Sequence, residues 1–298
     1  MLCLRAPAKL NLYLRVLGKR PDGFHEIETL FERIDLADEL TIEPAGGLTL
    51  TSTDPALSCG EDNLIIKAAR ILRRATGTSL GARIHLSKCI PVSAGLGGGS
   101  SDAATALVGL NRLWELGLPR ERLTALAAEL GSDVPFFLTG AAFAIGRGRG
   151  EVCEPLPEAP SLAHVLIVPP ERLSTKDVYN SRQFTLTASA PSITMITHAL
   201  RNGSLGELAH GLRNDLEPEA IRRCPVINTM LACLSDLGCA AARMSGSGSS
   251  VFGLYADLAA ARGIARRLSG ITMRQTDSWR VEVVQTELPS RVTASAAS

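Results

Sequence analysis

The strongest chemical signal in this sequence is a run of four glycines within residues 95–99. The run follows a predicted strand and leads directly into a predicted helix, with Ser100 and Ser101 at its N-cap. Glycine lets a ligand approach the backbone closely, and free N–H groups at a helix N-terminus bind anions. A flexible linker is the alternative, but a linker would not be flanked at once by a strand and an alanine-rich helix. The segment therefore predicts a phosphate-binding loop.

The spacing of this loop excludes two common phosphate motifs. No Lys-Ser or Lys-Thr pair follows the glycines, so the loop is not a Walker A motif. Ser100 stands where the dinucleotide-binding fingerprint has its last glycine. Because the loop has no lysine, another cation must neutralise the transferring phosphoryl group.

Lys9 and Asp133 are candidates for the chemistry of phosphoryl transfer to an alcohol, which needs a proton acceptor and positive charge. Asp133 lies in the turn-forming segment 131–135, where spacing alone favours a general base and a capping aspartate equally. Lys9 lies at the entry of a predicted strand. Spacing alone slightly favours a solvated edge-strand lysine there over a lysine in a cleft.

The elements that must position these residues mix strands and helices without strict alternation, which predicts an α+β fold. Leu40–Ile42 and Leu48–Leu50 are predicted to form a hairpin across residues 44–47. Asp62 is predicted to cap a helix from residue 63 to about residue 76. The other predicted strands are 10–16, 26–34, 82–87, 164–168, 240–244, 250–255 and 280–285, and the other predicted helices are 101–116, 119–130 and 258–268.

Three prolines between residues 155 and 160 predict a domain boundary. The expected organisation is an N-terminal nucleotide-binding domain over 1–155 and a C-terminal domain over 156–288. A Ser/Ala-rich flexible tail is expected over 289–298.

Composition excludes several classes of protein. With 298 residues, 45% hydrophobic and 20% charged, the chain is an ordinary globular protein of about two domains. A net charge of +1 and 4% aromatic residues argue against a nucleic-acid partner. Seven scattered cysteines without a CxxC pair predict reduced thiols in the cytoplasm. No apolar run reaches the roughly 18 residues of a membrane span, so no membrane partner is expected.

Three segments together resemble one protein family. The run from Pro91 to Ala104 resembles the central nucleotide-binding motif of the GHMP small-molecule kinases. Residues 6–12 resemble the N-terminal motif of that family, and residues 243–251 resemble its C-terminal glycine motif. The resemblance implies a two-lobed α+β fold, with a mixed sheet and helices in the N-terminal lobe and an α/β sandwich-like C-terminal lobe. It also implies ATP as phosphoryl donor, accompanied by Mg²⁺.

Further segments resemble the members of this family that act on a cytidine diphosphate derivative of methylerythritol, namely residues 7–14, 18–25, 29–31, 61–65 and 130–136. This resemblance implies ATP-dependent phosphorylation of the 2-hydroxyl group of that substrate in the non-mevalonate route to isoprenoid precursors. A homoserine or mevalonate-type kinase is an alternative, against which the segment 22–25 argues. A second alternative is a non-catalytic ATP-binding relative. The presence of both Lys9 and Asp133 argues against this alternative.

The resemblance also implies roles for individual residues. Asp133 is the expected general base, and Lys9 is its expected partner. The expected ATP-binding residues are Asn63, Lys88, Pro91, Val92, Ser93, Ala94, Gly95, Leu96, Gly97, Gly98, Gly99, Ser100 and Ser101. The expected substrate-binding residues are Asn11, Phe24, His25, Thr175, Tyr179, Gly246 and Ser247.

Among the substrate-binding residues, His25 is expected to read the cytosine edge, with Phe24 and Tyr179 stacking on the base. The family usually has tyrosine at the position of Phe24. Without the resemblance, Phe24 is interpreted as a core residue and Tyr179 as part of an amphipathic helix. Asp102 is interpreted as an acid that stabilises a helix N-terminus. The metal ligands and the glycine-dense loop 146–150 stay unassigned, and a monomer or weak homodimer is expected.

Overall fold

The computed structural model describes residues 1–157, 159–180, 191–275 and 279–288, which form two β-sheets with helices packed against them. The predicted tail 289–298 lies outside the described residues. The strands are β1 (Leu2–Lys19), β2 (His25–Ala45), β3 (Leu48–Ser52), β4 (Gly81–Ser87), β5 (Phe143–Arg147), β6 (Val152–Leu156), β7 (Ala163–Val168), β8 (Arg213–Asn214), β9 (Ala241–Met244), β10 (Val251–Tyr255) and β11 (Arg280–Gln285). The helices are α1 (Leu64–Thr76), α2 (Gly98–Leu113), α3 (Arg120–Leu130), α4 (Val134–Leu138), α5 (Thr175–Tyr179), α6 (Ile193–Arg201), α7 (Leu205–Gly211), α8 (Glu217–Arg223), α9 (Val226–Asp236) and α10 (Leu258–Gln275).

The first sheet is built on the long antiparallel pair of β1 and β2, whose register runs from Leu2↔Ile42 to Lys19↔His25. The sequence predicts two strands where β2 is one strand of 21 residues. The physical reason is a register shift between Pro7 and Ala8, which takes up the intervening residues of β2 as a bulge instead of a turn.

The predicted hairpin between residues 40–42 and 48–50 is wrong. Strand β3 pairs in parallel with β4, and β4 pairs antiparallel with β2, so that β4 lies between them. Helix α1 connects β3 to β4, and its apolar face packs with Leu50 in a shared core. The backbones of β2 and β4 approach each other closely where β4 begins at Gly81. A Cβ at Gly81 would lie only 2.3 Å from the Ala45 carbonyl oxygen.

The segment Gly77–Gly81 also has the glycine-any-serine-any-glycine spacing of a hydrolase nucleophile elbow. Here it leads from helix α1 into strand β4, whereas a nucleophile elbow leads from a strand into a helix. The connection is therefore that of an ordinary helix C-terminus, with Gly77 as the left-handed C-cap at φ 74°.

Two helix starts differ from the predicted ones. The N-cap of α1 is Asn63, whose Oδ1 accepts the Ile65 N–H at 2.9 Å, and not Asp62. Asp62 instead accepts a hydrogen bond from the Ser58 hydroxyl at 2.5 Å. Helix α2 begins at Gly98 and not at residue 101, because Gly97 adopts a positive φ of 69° and serves as the N-cap itself.

The second sheet is antiparallel throughout, in the order β11-β7-β10-β9. It contains the predicted strand–loop–strand of β9 and β10. The two-residue strand β8 instead joins the first sheet, in parallel with β1. The predicted domain boundary at residues 155/156 falls at the end of β6, and it stays a prediction.

One apolar cluster spans both sheets. It includes Leu10 and Leu30 of the first sheet together with Leu166 and Phe252 of the second. No helix among the described ranges is both long and apolar enough to cross a bilayer.

Candidate active site

A cavity of about 980 Å³ brings together residues from both halves of the chain. Every predicted site residue except Ser101 lines it: Lys9, Asn11, Phe24, His25, Asn63, Lys88, Pro91, Val92, Ser93, Ala94, Gly95, Leu96, Gly97, Gly98, Gly99, Ser100, Asp133, Thr175, Tyr179, Gly246 and Ser247. Ser101 is fully buried in α2, and its Oγ has no hydrogen-bond partner among the described residues.

Lys9 and Asp133 meet in this cavity. The pleat of β1 places Lys9 and Asn11 on one face, where the Lys9 ammonium donates to Asn11 Oδ1 at 2.5 Å. Lys9 Nζ lies 3.5 Å from Asp133 Oδ2. Lys9 is only 3% exposed, so the alternative of a solvated edge-strand lysine is wrong. Asp133 stands at the N-cap of α4 but makes no side-chain capping bond, which removes the capping alternative as well.

The buried surroundings of Lys9 strengthen the attraction between its ammonium group and nearby negative charges. Burial lowers the pKa of Lys9, while the carboxylate of Asp133 acts in the opposite direction. The Phe31 ring centroid lies 5.8 Å from the ammonium. Because little water screens this position, the ammonium interacts more strongly with a nearby anion than it would at the surface.

The glycine loop approaches Lys9 directly. The Lys9 N–H donates to the Leu96 carbonyl at 3.0 Å. Gly95 and Gly97 adopt positive φ angles of 78° and 69°. A Cβ at Gly97 would lie 2.9 Å from Lys9 Cγ. Glycine is thus required both by the backbone conformation and by the space that the lysine side chain occupies.

Lys88 does not offer a free ammonium to the loop. It donates to Asp38, and it also donates to Asp102 Oδ2 at 3.1 Å. Asp38 Oδ1 in turn accepts the N–H groups of Cys89 and Ile90 at 2.6 and 2.7 Å. Lys88 lines the cavity, but this buried cluster holds the entry of the glycine loop.

Asp102 belongs to the same cluster, in addition to its place near the start of α2. Burial raises the pKa of Asp102 to about 7, against the opposing effect of the Lys88 ammonium. Its second carboxylate oxygen, Oδ1, is buried and has no hydrogen-bond partner among the described residues. Two carboxylates therefore share one ammonium beneath the phosphate loop.

The turn over residues 245–248 closes the cavity from the second sheet. The Ser245 hydroxyl donates to the Gly95 carbonyl at 3.0 Å and accepts the Asn11 N–H at 3.4 Å. A Cβ at Gly246 would lie 3.1 Å from Lys9 Nζ. The hydroxyls of Thr175 and Ser247 are 2.8 Å apart. These contacts bring the C-terminal glycine motif against the glycine loop 95–99 and against the N-terminal motif 6–12.

The aromatic end of the cavity differs in detail from the predicted stack. The rings of His25 and Tyr179 pack at a centroid distance of 5.5 Å, so that His25, and not Phe24, faces Tyr179. Phe24 is 50% exposed, which rules out a core role. Burial, reinforced by Asp133, raises the pKa of Tyr179, so its phenol stays protonated.

Arg149 is a cavity residue that the sequence reasoning left unassigned. Its guanidinium lies 4.8 Å from the Phe24 ring centroid and lines the cavity. The available signal was the glycine-dense loop 146–150 with its two arginines. Asp38 and Asn214 gave no local signal at all. Within the described ranges, no group of three or more His, Cys, Asp or Glu residues is arranged to hold a metal ion.

Comparison with protein families gives two matches. Residues 63–141 match the GHMP kinases N terminal domain, and residues 196–273 match the GHMP kinases C terminal domain. The mixed α+β fold agrees with both.

Two bacterial relatives are similar over most of their length, and both are named 4-diphosphocytidyl-2-C-methyl-D-erythritol kinase. That of Pelotomaculum thermopropionicum is 45% identical over 264 residues, which cover 88% of this chain and 92% of the relative. That of Paramagnetospirillum magneticum is 43% identical over 269 residues, which cover 89% of this chain and 93% of the relative.

Solved structures are similar as well. A crystal structure of a 4-(cytidine 5'-diphospho)-2C-methyl-D-erythritol kinase superposes with a TM-score of 0.78 at 37% identity, covering 95% of this chain and 99% of that one. An L. major mevalonate kinase in complex with R-mevalonate has a TM-score of 0.72 at 16% identity, covering 97% of this chain and 96% of that one. The latter similarity concerns the fold alone.

Proposed function

The chain belongs to the GHMP kinases and, within them, to the 4-diphosphocytidyl-2-C-methyl-D-erythritol kinases, and we propose that Lys9 and Asp133 carry its reaction. The reaction transfers the γ-phosphoryl group of ATP to the 2-hydroxyl group of 4-(cytidine 5'-diphospho)-2-C-methyl-D-erythritol, in the non-mevalonate route to isoprenoid precursors. The observation that supports our proposal most strongly is the 3.5 Å approach of Lys9 Nζ to Asp133 Oδ2, at the point where the loop 95–99 and the turn 245–248 meet β1.

In this proposal, Asp133 accepts the hydroxyl proton as the oxygen forms its bond to the γ-phosphorus and ADP leaves. The Lys9 ammonium keeps the Asp133 carboxylate ionised and stabilises the developing negative charge. The N–H groups of the loop 95–99 and of the α2 N-terminus receive the ATP phosphates. Asn11, held between Lys9 and Thr29, fixes the direction of the ammonium.

We also propose that Mg²⁺ accompanies ATP. Ser101 Oγ and Asp102 Oδ1 are buried oxygens without hydrogen-bond partners among the described residues, and both adjoin the phosphate loop. Mg²⁺ prefers oxygen ligands and is usually held by one or two carboxylates together with substrate phosphates and water. Asp102, which lines the cavity, would therefore hold the ion, which supplies positive charge to the phosphates when it is bound, whereas Ser101 does not line the cavity.

For the substrate, we propose that His25 and Tyr179 recognise the cytosine ring. Phe24 and Arg149 lie beside them, where an apolar face and a guanidinium suit a base and its diphosphate. Gly246, in the turn between β9 and β10, adjoins Lys9, and the hydroxyl of the next residue, Ser247, contacts that of Thr175 at the start of α5. These three residues would contact the substrate near the reacting pair. A monomer or weak homodimer, a cytoplasmic location and the domain bounds 1–155 and 156–288 complete the proposal.

The experiment measures ADP release by the purified protein with Mg·ATP and the cytidylyl substrate. We expect turnover with this substrate and a loss of about 10²- to 10⁴-fold in Asp133→Asn. Turnover of homoserine or mevalonate without turnover of the cytidylyl substrate would reject the assignment. ATP binding without any turnover would favour a non-catalytic relative. For Mg²⁺, we expect Asp102→Asn to raise the Mg²⁺ concentration needed for half-maximal activity.

A further inference from the structure

Asn214 is a buried asparagine that lies outside the cavity lining but is bound to one of its walls. It stands in β8, paired with Leu14 of β1, and it is 6% exposed. Its Nδ2 donates to the Met244 carbonyl at 2.8 Å and to the Gly246 carbonyl at 2.7 Å. Its Oδ1 accepts the Leu216 N–H at 2.9 Å. Both amide protons of Asn214 are thus used on the chain that forms the turn 245–248.

The bond to the Gly246 carbonyl fixes the direction of a neighbouring N–H group. The carbonyl and the N–H of a planar trans peptide point in opposite directions, so the Ser247 N–H points away from Asn214. Gly246 and Ser247 line the cavity, and Asn214 does not. Within the described part of the chain, no acceptor is bound to the Ser247 N–H. A buried donor of this kind needs a partner.

The position of this peptide relates the Ser247 N–H to the chemistry. A Cβ at Gly246 would lie 3.1 Å from Lys9 Nζ and 3.3 Å from Asn11 Oδ1. The peptide therefore lies beside the reacting pair, where the 2-hydroxyl oxygen of the substrate gains negative charge as its proton is lost. A preorganised N–H donor at such a place stabilises negative charge without having to reorient.

We propose that Asn214 is a positioning residue that holds the Gly246 carbonyl and thereby presents the Ser247 N–H to an anionic oxygen of the bound substrate. This inference rests on the proposed function. It requires that no other group holds the Gly246 carbonyl, and within the described residues Asn214 alone is bonded to that oxygen. Glu217 Oε2 accepts the Met244 N–H at 2.8 Å, which anchors the end of β9 but not the turn itself.

The ends of the turn stay closed by the Gly248 N–H, which donates to the Ser245 carbonyl at 3.0 Å. Without Asn214, the Gly246–Ser247 peptide between these ends loses the bond to its carbonyl and can rotate more easily, because Gly246 has no Cβ to restrict it. Rotation would turn the carbonyl oxygen toward the substrate in place of the N–H. An acceptor facing an anion is repulsive, so the effect on substrate binding and turnover is larger than the loss of one hydrogen bond alone.

The test compares Asn214→Asp with Asn111→Asp as a matched control. Asn111 also binds a loop through both amide groups, with Nδ2 donating to the Leu118 carbonyl and Oδ1 accepting the Leu118 N–H, each at 3.1 Å. We expect N214D at pH 8 to lower kcat/KM for the cytidylyl substrate about 10- to 100-fold. The KM for ATP is expected to stay within about twofold, and N111D is expected to leave both constants unchanged.

A pH series separates positioning from a merely structural role. The introduced carboxyl can donate one hydrogen bond to a carbonyl only when it is protonated. The ratio of N214D to wild-type kcat/KM should therefore rise as the pH falls from 8 to 5.5. A ratio that does not change with pH, or an N214D enzyme whose melting temperature falls while its kinetic constants stay normal, overturns the proposal.

A measurement on the wild type does not depend on the folding of any variant. With a non-hydrolysable ATP analogue and the cytidylyl substrate bound, the Ser247 amide should shift in the NMR spectrum and exchange with solvent more slowly. No change at Ser247 overturns the proposal about Asn214 but leaves the proposed function standing. A wild-type enzyme that fails to turn over the cytidylyl substrate rejects the proposed function itself.

Discussion

The side chain of Lys9 passes beneath Gly97 so closely that a Cβ on this glycine would lie 2.9 Å from Lys9 Cγ and 3.1 Å from Lys9 Cε. The glycine loop 95–99 and Lys9 are therefore positioned by one another. The loop cannot carry a side chain at residue 97 without displacing the lysine, and the lysine cannot move upward without contacting the loop. This relationship explains how a loop without its own lysine still has a cation beside it.

Gly97→Ala is expected to lower kcat about 100-fold, because the added methyl group displaces Lys9 from Asp133. The positive φ of 69° adds about 1–3 kcal/mol of backbone strain. Gly77→Ala is the matched control, since Gly77 has a similar φ of 74° but no atom within 4 Å of the added Cβ. Steady-state kinetics and thermal unfolding should show loss of stability in both variants, larger in G97A, and loss of activity in G97A alone. Equal activities would contradict the steric argument.

Asp102→Asn is expected to make the protein more stable than wild type at high pH, and this difference in stability is expected to grow as the pH rises. The pKa of Asp102 in the folded protein is about 7, above its ordinary value of 3.8. Between these two values the folded state binds a proton that the unfolded state does not, so wild-type stability falls through this group as the pH rises from about 4 to 7. Asparagine removes that dependence and leaves Lys88 paired with Asp38.

Urea unfolding of D102N and wild type at pH 5, 6, 7 and 8 measures this difference. Asp38→Asn is the contrasting variant, because Asp38 accepts two backbone N–H groups as well as the Lys88 ammonium. We expect D38N to be destabilised at every pH. A stability difference between D102N and wild type that does not grow with pH would contradict the shared-ammonium interpretation.

Tyr179→Ala is expected to raise the KM for the cytidylyl substrate about tenfold, because it removes the ring that packs against His25. Tyr179→Phe keeps the ring and is expected to change KM less than about threefold. Since burial keeps the phenol protonated, its loss should not alter the pH profile between 6 and 9. Initial rates of wild type, Y179A and Y179F between pH 6 and 9 test both the expected KM values and the unchanged pH profile. A large KM increase in Y179F would show that the hydroxyl group, and not the ring, recognises the substrate.

Arg149→Met is expected to raise the KM for the cytidylyl substrate about tenfold and to leave the KM for ATP unchanged, because the guanidinium faces the aromatic end of the cavity. The KM of wild type should also rise more steeply with salt than that of R149M. Arg147→Met is the control, since Arg147 pairs with Glu154 and Glu28 and does not line the cavity. Similar kinetic effects in both variants would contradict a specific role for Arg149.

The parts of the fold that could be predicted from sequence depend on neighbouring residues. Helix α3 follows Pro119, and β9 and β10 flank a glycine turn, because each signal is contained in a few consecutive positions. The partner of β3 could not be predicted in this way. Proximity in sequence favours a hairpin with β2, whereas the burial of α1 against the sheet requires β4 to lie between them.

The residues of the candidate site also fall into those that a local sequence pattern predicts and those that only a tertiary contact brings into place. The glycine loop and Lys9 are recognisable in local sequence. Lys88 is also predicted from the sequence, but its binding to Asp38 follows from the register of β2 with β4, and its binding to Asp102 follows from the packing of α2 against β2. No local pattern encodes either contact. Asn214 reaches Gly246 only because β8 joins β1 of the other sheet. Residues that act through a tertiary contact have no characteristic spacing in the sequence, so they cannot be predicted from a local pattern.

The short strand β8 has a consequence for the order in which the protein is synthesised. Lys9 and the glycine loop 95–99 leave the ribosome early. The turn 245–248, which lies opposite them in the cavity, and Asn214 of β8, which binds this turn, are synthesised much later. A nascent chain that ends before β9 would carry Lys9 with no turn opposite it. The cavity around Lys9 is therefore completed only near the end of translation.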